Sequence, residues 1–117
     1  MTILAASDLS DLRQAKCQPC EGGIAKLTAD EIAARLNRLS GWEQSGDSIR
    51  KIYRFRNYYE TIAFVNASAW LSHRENHHPD LLVGYRQCTV TYTTHAIDGL
   101  SENDFICAAK LDAALRS

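Results

Sequence analysis

The sequence predicts an α+β fold in which three helices cover one face of a four-stranded antiparallel sheet, in the order α-β-β-α-β-β-α. Three capping pairs, each spaced by three residues, precede segments with helical apolar spacing. The segments between the helices read as paired strands joined by tight connections, and such strands must be antiparallel. A chain of 117 residues is the size of one domain with one core. The other face of the sheet is then left for a ligand or a partner.

The composition is that of a globular protein without an electrostatic preference for nucleic acids. Hydrophobic residues make up 45% of the chain, charged residues 23%, and the formal net charge is -1. That charge supplies no attraction towards phosphate backbones, so we expect no nucleic-acid partner. The apolar runs are shorter than the roughly 20 residues of a membrane span, and residues 1–10 lack the features of a signal peptide. We therefore expect a soluble, cytoplasmic protein without a membrane partner.

Residues 1–24 are predicted to be a leader, and residues 25–117 the folded domain. The leader contains Cys17-Gln-Pro-Cys20 followed by two glycines, which interrupt any helix. Cys17 and Cys20 have the spacing of a zinc knuckle or a redox pair, but they supply only two of four metal ligands. A flexible or partner-ordered leader is favoured over a catalytic dithiol.

The first helix is expected over residues 28–39, where Thr28 and Glu31 have the spacing of a capping box. A hairpin follows. Its strands are predicted near residues 41–44 and 49–56, around a turn at Ser45-Gly46-Asp47. The second strand should carry Tyr53 and Phe55 inward.

The second helix is predicted to start after Asn57, which can act as its N-cap with Glu60 at the third position. It must end by His78, because Pro79 disfavours helical torsions in the residue before it. Residues 62–71 are apolar all round apart from Asn66 and Ser68. We expect this helix to be covered on two sides, in a homo-oligomer that is a dimer or a tetramer.

The last two strands are predicted over residues 81–85 and 87–94, and a final helix follows the capping pair Ser101 and Asp104. The second of these strands alternates apolar with threonine residues, as expected of a strand buried on one face. Cys88 and Cys107 fall inside the strand and the helix, so we expect two reduced core thiols.

Three of the four histidines, His73, His77 and His78, lie together at the end of the second helix, and His95 follows the last strand. Imidazoles that titrate near neutral pH can give and take protons over one substrate. Two alternatives remain open. Histidines at a helix C-terminus also complement the helix dipole. His73 and His77, four residues apart, could bind a metal with His78 or His95, although the zincin pattern is absent.

The segment His73-Arg-Glu-Asn-His77-His78-Pro79-Asp80, followed by Tyr85, His95 and Asp104, resembles the pterin-4a-carbinolamine dehydratases (4a-hydroxytetrahydrobiopterin dehydratases, including the dimerisation-cofactor type). The resemblance extends over about residues 25–117. The leader resembles an extension found in some bacterial and plant members. Asn76 and Leu81 depart from the animal members, which carry an acidic residue and a tryptophan there.

The resemblance implies a hydro-lyase that converts a 4a-hydroxytetrahydropterin to quinonoid dihydropterin and water, with no metal and no cofactor. This reaction would recycle tetrahydrobiopterin-type cofactors for a pterin-dependent aromatic amino acid hydroxylase. The implied acid/base pair is His77 and His95, with His78 holding the pterin. The implied catalytic residues are His77, His78, His95 and Asp104. The implied substrate-binding residues are His78, His73, Asn76 and Pro79.

The same resemblance offers a second role, because some relatives act as dimerisation cofactors of transcription factors or as assembly factors. Such a protein would bind its partner through the apolar second helix. A pure scaffold has no physical need for convergent imidazoles, so the intact set of histidines favours catalysis.

Overall fold

The computed structural model describes residues 12–18 and 24–115, and four strands in it form one antiparallel sheet. The strands are β1 (Glu43–Ser45), β2 (Ser48–Arg54), β3 (Asp80–Val83) and β4 (Gln87–Tyr92), in the spatial order β1-β2-β4-β3. The central pair, β2 and β4, is in register from Ile49 opposite Tyr92 to Arg54 opposite Gln87. The predicted fold class is confirmed.

The α-helices within residues 24–115 are α1 (Ala29–Leu36), α2 (Tyr58–Glu75) and α3 (Glu102–Ala114), and residues 12–14 are helical as well. Their predicted N-caps are confirmed: the Thr28, Asn57 and Ser101 side chains all accept backbone amides of the first turn. α1 ends three residues earlier than predicted, because the amides of residues 38 and 39 bond to carbonyls only three residues back.

Three predicted strands extend too far. β2, predicted to residue 56, ends at Arg54, and the ends of β3 and β4 are set by the turns beside them. β3 ends at Val83 because the Gly84 amide donates to the Gln87 carbonyl at 2.7 Å and closes a turn. β4 ends at Tyr92, and Thr94 instead makes an isolated bridge with Gly99. Between these two residues the chain makes an unpredicted 3₁₀ turn, His95–Ile97.

The core lies between the sheet and the helices, and α3 is its most buried element. The inward row of β4 is formed by Cys88, Val90 and Tyr92, each fully buried. Along α3, every residue from Asn103 to Ala109 is buried. Cys88 and Cys107 are both buried and free, as predicted.

Residues 12–18, which we call the strap, pack against this core although they belong to the predicted leader. Leu12 is 4% exposed, and the Cys17 amide donates to Glu75 Oε1 at 3.1 Å. Gln18 and Asn103 exchange two hydrogen bonds, one from the Gln18 amide and one from Asn103 Nδ2. Cys20 lies outside the described residues, and the domain boundary at residue 25 stays a prediction.

Crossing a bilayer takes a helix of about 20 mostly apolar residues, and none of the helices within residues 12–18 and 24–115 is of that kind.

Hydrogen bonds of Asp112 connect α3 to the sheet. Its Oδ2 accepts from Trp42 Nε1 at 3.0 Å, and its Oδ1 accepts from Lys51 Nζ at 2.9 Å and from the Tyr53 hydroxyl. Burial and the hydrogen bond to Asp112 raise the pKa of Tyr53, so this hydroxyl remains a donor. One carboxylate thus holds together the last helix, β2 and the segment before β1.

We expect Asp112→Ala to lower the free energy of unfolding by about 3 kcal/mol, because it leaves three donors without their acceptor. Urea denaturation would measure the change. Asp30→Ala, at an exposed position of α1, is the matched control and should cost less than about 1 kcal/mol. Equal effects of the two substitutions would contradict this role of Asp112.

Candidate active site

The end of α2 turns His77 into the protein interior. Asn76 caps the helix in the left-handed conformation, with φ of 53°, which asparagine tolerates better than most residues. The His77 amide then donates to the Ser72 carbonyl at 3.2 Å. His77 is consequently only 7% exposed, whereas its neighbour His78 is exposed.

His77 forms a buried pair with Asp104, which lies at the third position of α3. His77 Nε2 is 2.7 Å from Asp104 Oδ1, and Asp104 is fully buried. The other carboxylate oxygen, Oδ2, accepts from the Thr94 hydroxyl at 2.8 Å and from the Ser101 amide at 3.0 Å. Because Thr94 donates to Asp104, the Ser101 hydroxyl, 2.8 Å away, must donate to Thr94. A chain of hydrogen bonds thus runs from Ser101 to the imidazole.

The orientation of the His77 ring is fixed from two directions. Asp104 accepts donors at its other oxygen, so we assign the shared proton to His77 Nε2. Tyr92 stacks on the imidazole with 5.9 Å between ring centroids and 10° between planes. The described part of the chain offers the second nitrogen, Nδ1, no hydrogen-bond partner. Nδ1 is therefore the atom through which this histidine can exchange protons.

His77 lines a pocket of about 390 Å³ beside the C-terminal half of α2. The pocket brings together every residue that the resemblance assigns to substrate binding, along with small helix residues and Leu81 of β3. Leu81 is paired with Val90, on the helix side of the sheet. The site therefore lies between α2 and β3 and not on the open face. The pocket is lined by Ser68, Ala69, Ser72, His73, Asn76, His77, His78, Pro79 and Leu81.

Beyond the segment 73–80, the three other residues of the resembled pattern are not in the pocket lining. His95 is exposed, on the 3₁₀ turn that follows Thr94. Tyr85 is 65% exposed and stacks on Tyr58, with 6.0 Å between centroids. Asp104 lies behind His77 and reaches the pocket only through it. Within the described ranges, no group of three or more histidine, cysteine, aspartate or glutamate side chains is arranged to hold a metal ion.

Thr94 and Tyr92 support the site, and the sequence interpretation gave neither a role. Both belong to the inward row that continues from Cys88 and Val90, and Thr94 is the one residue of this row with a small aliphatic hydroxyl side chain. A hydroxyl on the buried face of a strand needs a hydrogen-bond partner. That signal could have identified Thr94 from its position in the alternation.

An ion pair between Glu75 and Lys110 holds the C-terminal end of α2 against α3. Glu75, two residues before His77, accepts from Lys110 Nζ at 2.9 Å and from the Cys17 amide. Burial acts to raise the pKa of Glu75, but the hydrogen bonds from Lys110 and Cys17 outweigh it and leave that pKa below its ordinary value. The charged carboxylate therefore anchors the turn that carries His77.

Comparison with known proteins gives consistent matches. The family model described as pterin 4 alpha carbinolamine dehydratase matches residues 25–114. A Nitrosospira multiformis protein, provisionally named pterin-4-alpha-carbinolamine dehydratase, is 59% identical over 104 residues, covering 89% of this chain and 92% of the relative.

Two solved structures are also similar. A transcriptional coactivator/pterin dehydratase from Brucella melitensis superposes with a TM-score of 0.74 and 27% identity, covering 76% of this chain and 97% of that one. A pterin dehydratase-like protein, identified as a RuBisCO assembly factor in the alpha-carboxysome, gives a TM-score of 0.54 and 26% identity. That alignment covers 65% of this chain and 88% of the other.

We expect Asp104→Asn to disturb the His77 tautomer, because an amide offers one acceptor end to three converging donors. Nitrogen NMR of the histidine rings should show the Nε2-protonated form in the unmodified protein and a mixture in the variant. Stability should fall by about 1–3 kcal/mol. Glu102→Gln, two residues before Asp104 and partly exposed in an ion pair with Arg35, should leave the His77 signals unchanged. An unaltered His77 spectrum in Asp104→Asn would contradict the assignment.

Proposed function

The chain belongs to the pterin 4 alpha carbinolamine dehydratase family, whose members are lyases, and from this we propose that histidine acid/base catalysis removes water from a 4a-hydroxytetrahydropterin. The products are quinonoid dihydropterin and water. The reaction recycles a tetrahydrobiopterin-type cofactor used by a pterin-dependent aromatic amino acid hydroxylase. It requires no redox change, because only a hydroxyl group and a proton leave the pterin.

The observation that carries the proposal is the buried His77–Asp104 pair at the wall of a pocket lined by two further histidines. The pocket volume of about 390 Å³ is within the usual range for small-molecule sites. Asp104 stabilises the imidazolium that forms when His77 takes up a proton. This support favours His77 as the base that accepts the ring nitrogen's proton.

The proposed roles of His95 and His78 follow from the family pattern and from the exposure of both side chains. His95, as an imidazolium, would protonate the departing 4a-hydroxyl group. His78 would hold the pterin, with His73, Asn76 and Pro79 forming the neighbouring pocket wall. Since His95 lies outside the pocket lining, its role rests on the family pattern, and a variant of its own tests it.

The test measures dehydration of a 4a-hydroxytetrahydropterin generated in situ by a pterin-dependent hydroxylase. We expect His77→Ala to lose about 10²- to 10⁴-fold in rate, the usual contribution of a positioned acid or base. His95→Ala should lose a comparable factor if it supplies the proton, whereas His78→Ala should mainly raise KM. Circular dichroism would verify that each variant is folded.

Thr94 offers a matched pair of variants for the same assay. Thr94→Val removes the hydrogen bond to Asp104 and keeps the shape of the side chain, so the rate should fall about tenfold. Thr94→Ser keeps the hydroxyl and should retain most of the activity. A folded protein that does not accelerate dehydration at all would refute the catalytic proposal and leave a binding role as the better account.

A binding role is the second candidate, and the exposed surface of α2 favours it. Tyr59 is 82% exposed and Trp70 is 64% exposed, with Ala63 on the same face between them. An adjoining apolar groove of about 300 Å³ is formed with Phe55 and Leu115. We propose that this surface, the α2 face, is covered by a second copy of the chain in a dimer or tetramer.

Light scattering should therefore give a mass that is a multiple of the 13.1 kDa chain at micromolar concentration. Ala63→Arg places a charge in the α2 face and should shift the protein towards the monomer. Gln44→Arg, on the exposed β1 strand, adds the same charge elsewhere and should not. A monomer for the unsubstituted chain would contradict the proposed assembly.

A further inference from the structure

Two free thiols meet where the strap crosses α3. Cys17 Sγ and Cys107 Sγ are 3.6 Å apart, although 90 residues separate them along the chain. Cys107 is fully buried on α3, whereas Cys17 is partly exposed on the strap. The pair is part of neither the histidine pocket nor the His77–Asp104 pair.

We propose that Cys17 and Cys107 are a thiol modification site that forms a reversible disulfide and clamps the strap to α3. A disulfide has a sulfur–sulfur distance of about 2.0 Å, so the two atoms, now 3.6 Å apart, must approach by about 1.6 Å. Residues 15–18 of the strap can provide this movement, because they form no regular secondary structure. Its contacts with Glu75 and Asn103 already hold Cys17 beside its partner.

The two cysteines differ in access, which sets the order of the reaction. Cys17 is reachable by a small oxidant such as glutathione disulfide, whereas the hydrogen bond with Cys17 and burial raise the pKa of Cys107. The Cys17 thiolate attacks the small disulfide, forming a mixed disulfide and releasing one glutathione thiolate. Cys107 then loses its proton and attacks Cys17 Sγ, releasing the second glutathione. Two protein thiols are oxidised, and one glutathione disulfide is reduced to two thiols.

The disulfide would form next to the backbone segments that carry His77 and Asp104. Cys107 Sγ lies 3.9 Å from the His77 carbonyl oxygen and one helical turn after Asp104. Gln18 bonds to Asn103, the residue before Asp104, and the Cys17 amide bonds to Glu75, two residues before His77. The thiol state of the pair therefore determines how firmly the strap holds both sides of the site.

The test equilibrates the full chain in mixtures of reduced and oxidised glutathione and maps the products by mass spectrometry. We expect tryptic peptides 17–26 and 87–110 to become linked, with fragmentation placing the bond between Cys17 and Cys107. The oxidised protein should melt several degrees higher than the reduced one, because the bond closes a long loop of the unfolded chain.

Three variants make the result specific. Cys17→Ser should abolish the link and the rise in melting temperature, whereas Cys20→Ser should keep both. Cys107→Ala should also abolish the link, and Cys17→Ser carries the test if that buried substitution prevents folding. A bond between Cys17 and Cys20, a glutathione adduct on Cys17 that never resolves, or thiols that stay reduced would each overturn the proposal. None of these readouts depends on pterin chemistry.

Discussion

The burial of α3 is the constraint on which the rest of the structure depends. A helix buried on most of its circumference cannot leave polar side chains without partners, since each unsatisfied group costs about 1–3 kcal/mol. The buried polar side chains of this helix bond to several separate parts of the chain, so these contacts together fix the sheet, the end of α2 and the strap. The buried or largely buried polar residues of α3 and their partners are Asn103 with Gln18, Asp104 with His77 and Thr94, Lys110 with Glu75, and Asp112 with Trp42, Lys51 and Tyr53.

Asp104 shows how one residue can serve both the fold and the site. Capping uses Oδ2, which accepts the Ser101 amide, and leaves Oδ1 for His77. The two oxygens of a carboxylate have enough lone pairs for both tasks, so structural and chemical roles do not compete. The cap also fixes where the carboxylate points, because the first turn of α3 is rigidly placed in the core. His77 therefore meets a preorganised acceptor that needs no movement to support a charged imidazole.

The sequence was informative where structure is determined locally and less so where distant segments decide it. The capping pairs at Thr28, Asn57 and Ser101 marked each helix start, because the donors and acceptors lie within one turn. The sequence predicted the strand ends less accurately than the helix starts. A strand ends where its partner strand stops forming hydrogen bonds, as at Val83 and Tyr92. The grouping of His73, His77 and His78 in one pocket follows from their closeness in sequence. The links from His77 to Asp104 and from Cys17 to Cys107 span the core, and no local pattern encodes them.

The proposed catalysis and the proposed partner binding need not exclude each other in this fold, because the pocket and the α2 face use different side chains of the same helix. The pocket contacts Ser68 and Ser72 near the core side of α2, whereas Tyr59 and Trp70 face outward. The two surfaces meet at His73, which lines the pocket and packs on Trp70 with 6.0 Å between ring centroids. A partner that covers Trp70 would therefore touch one wall of the pocket. Related proteins can then keep the scaffold and its assembly surface while gaining or losing the chemistry, which resides in a few side chains.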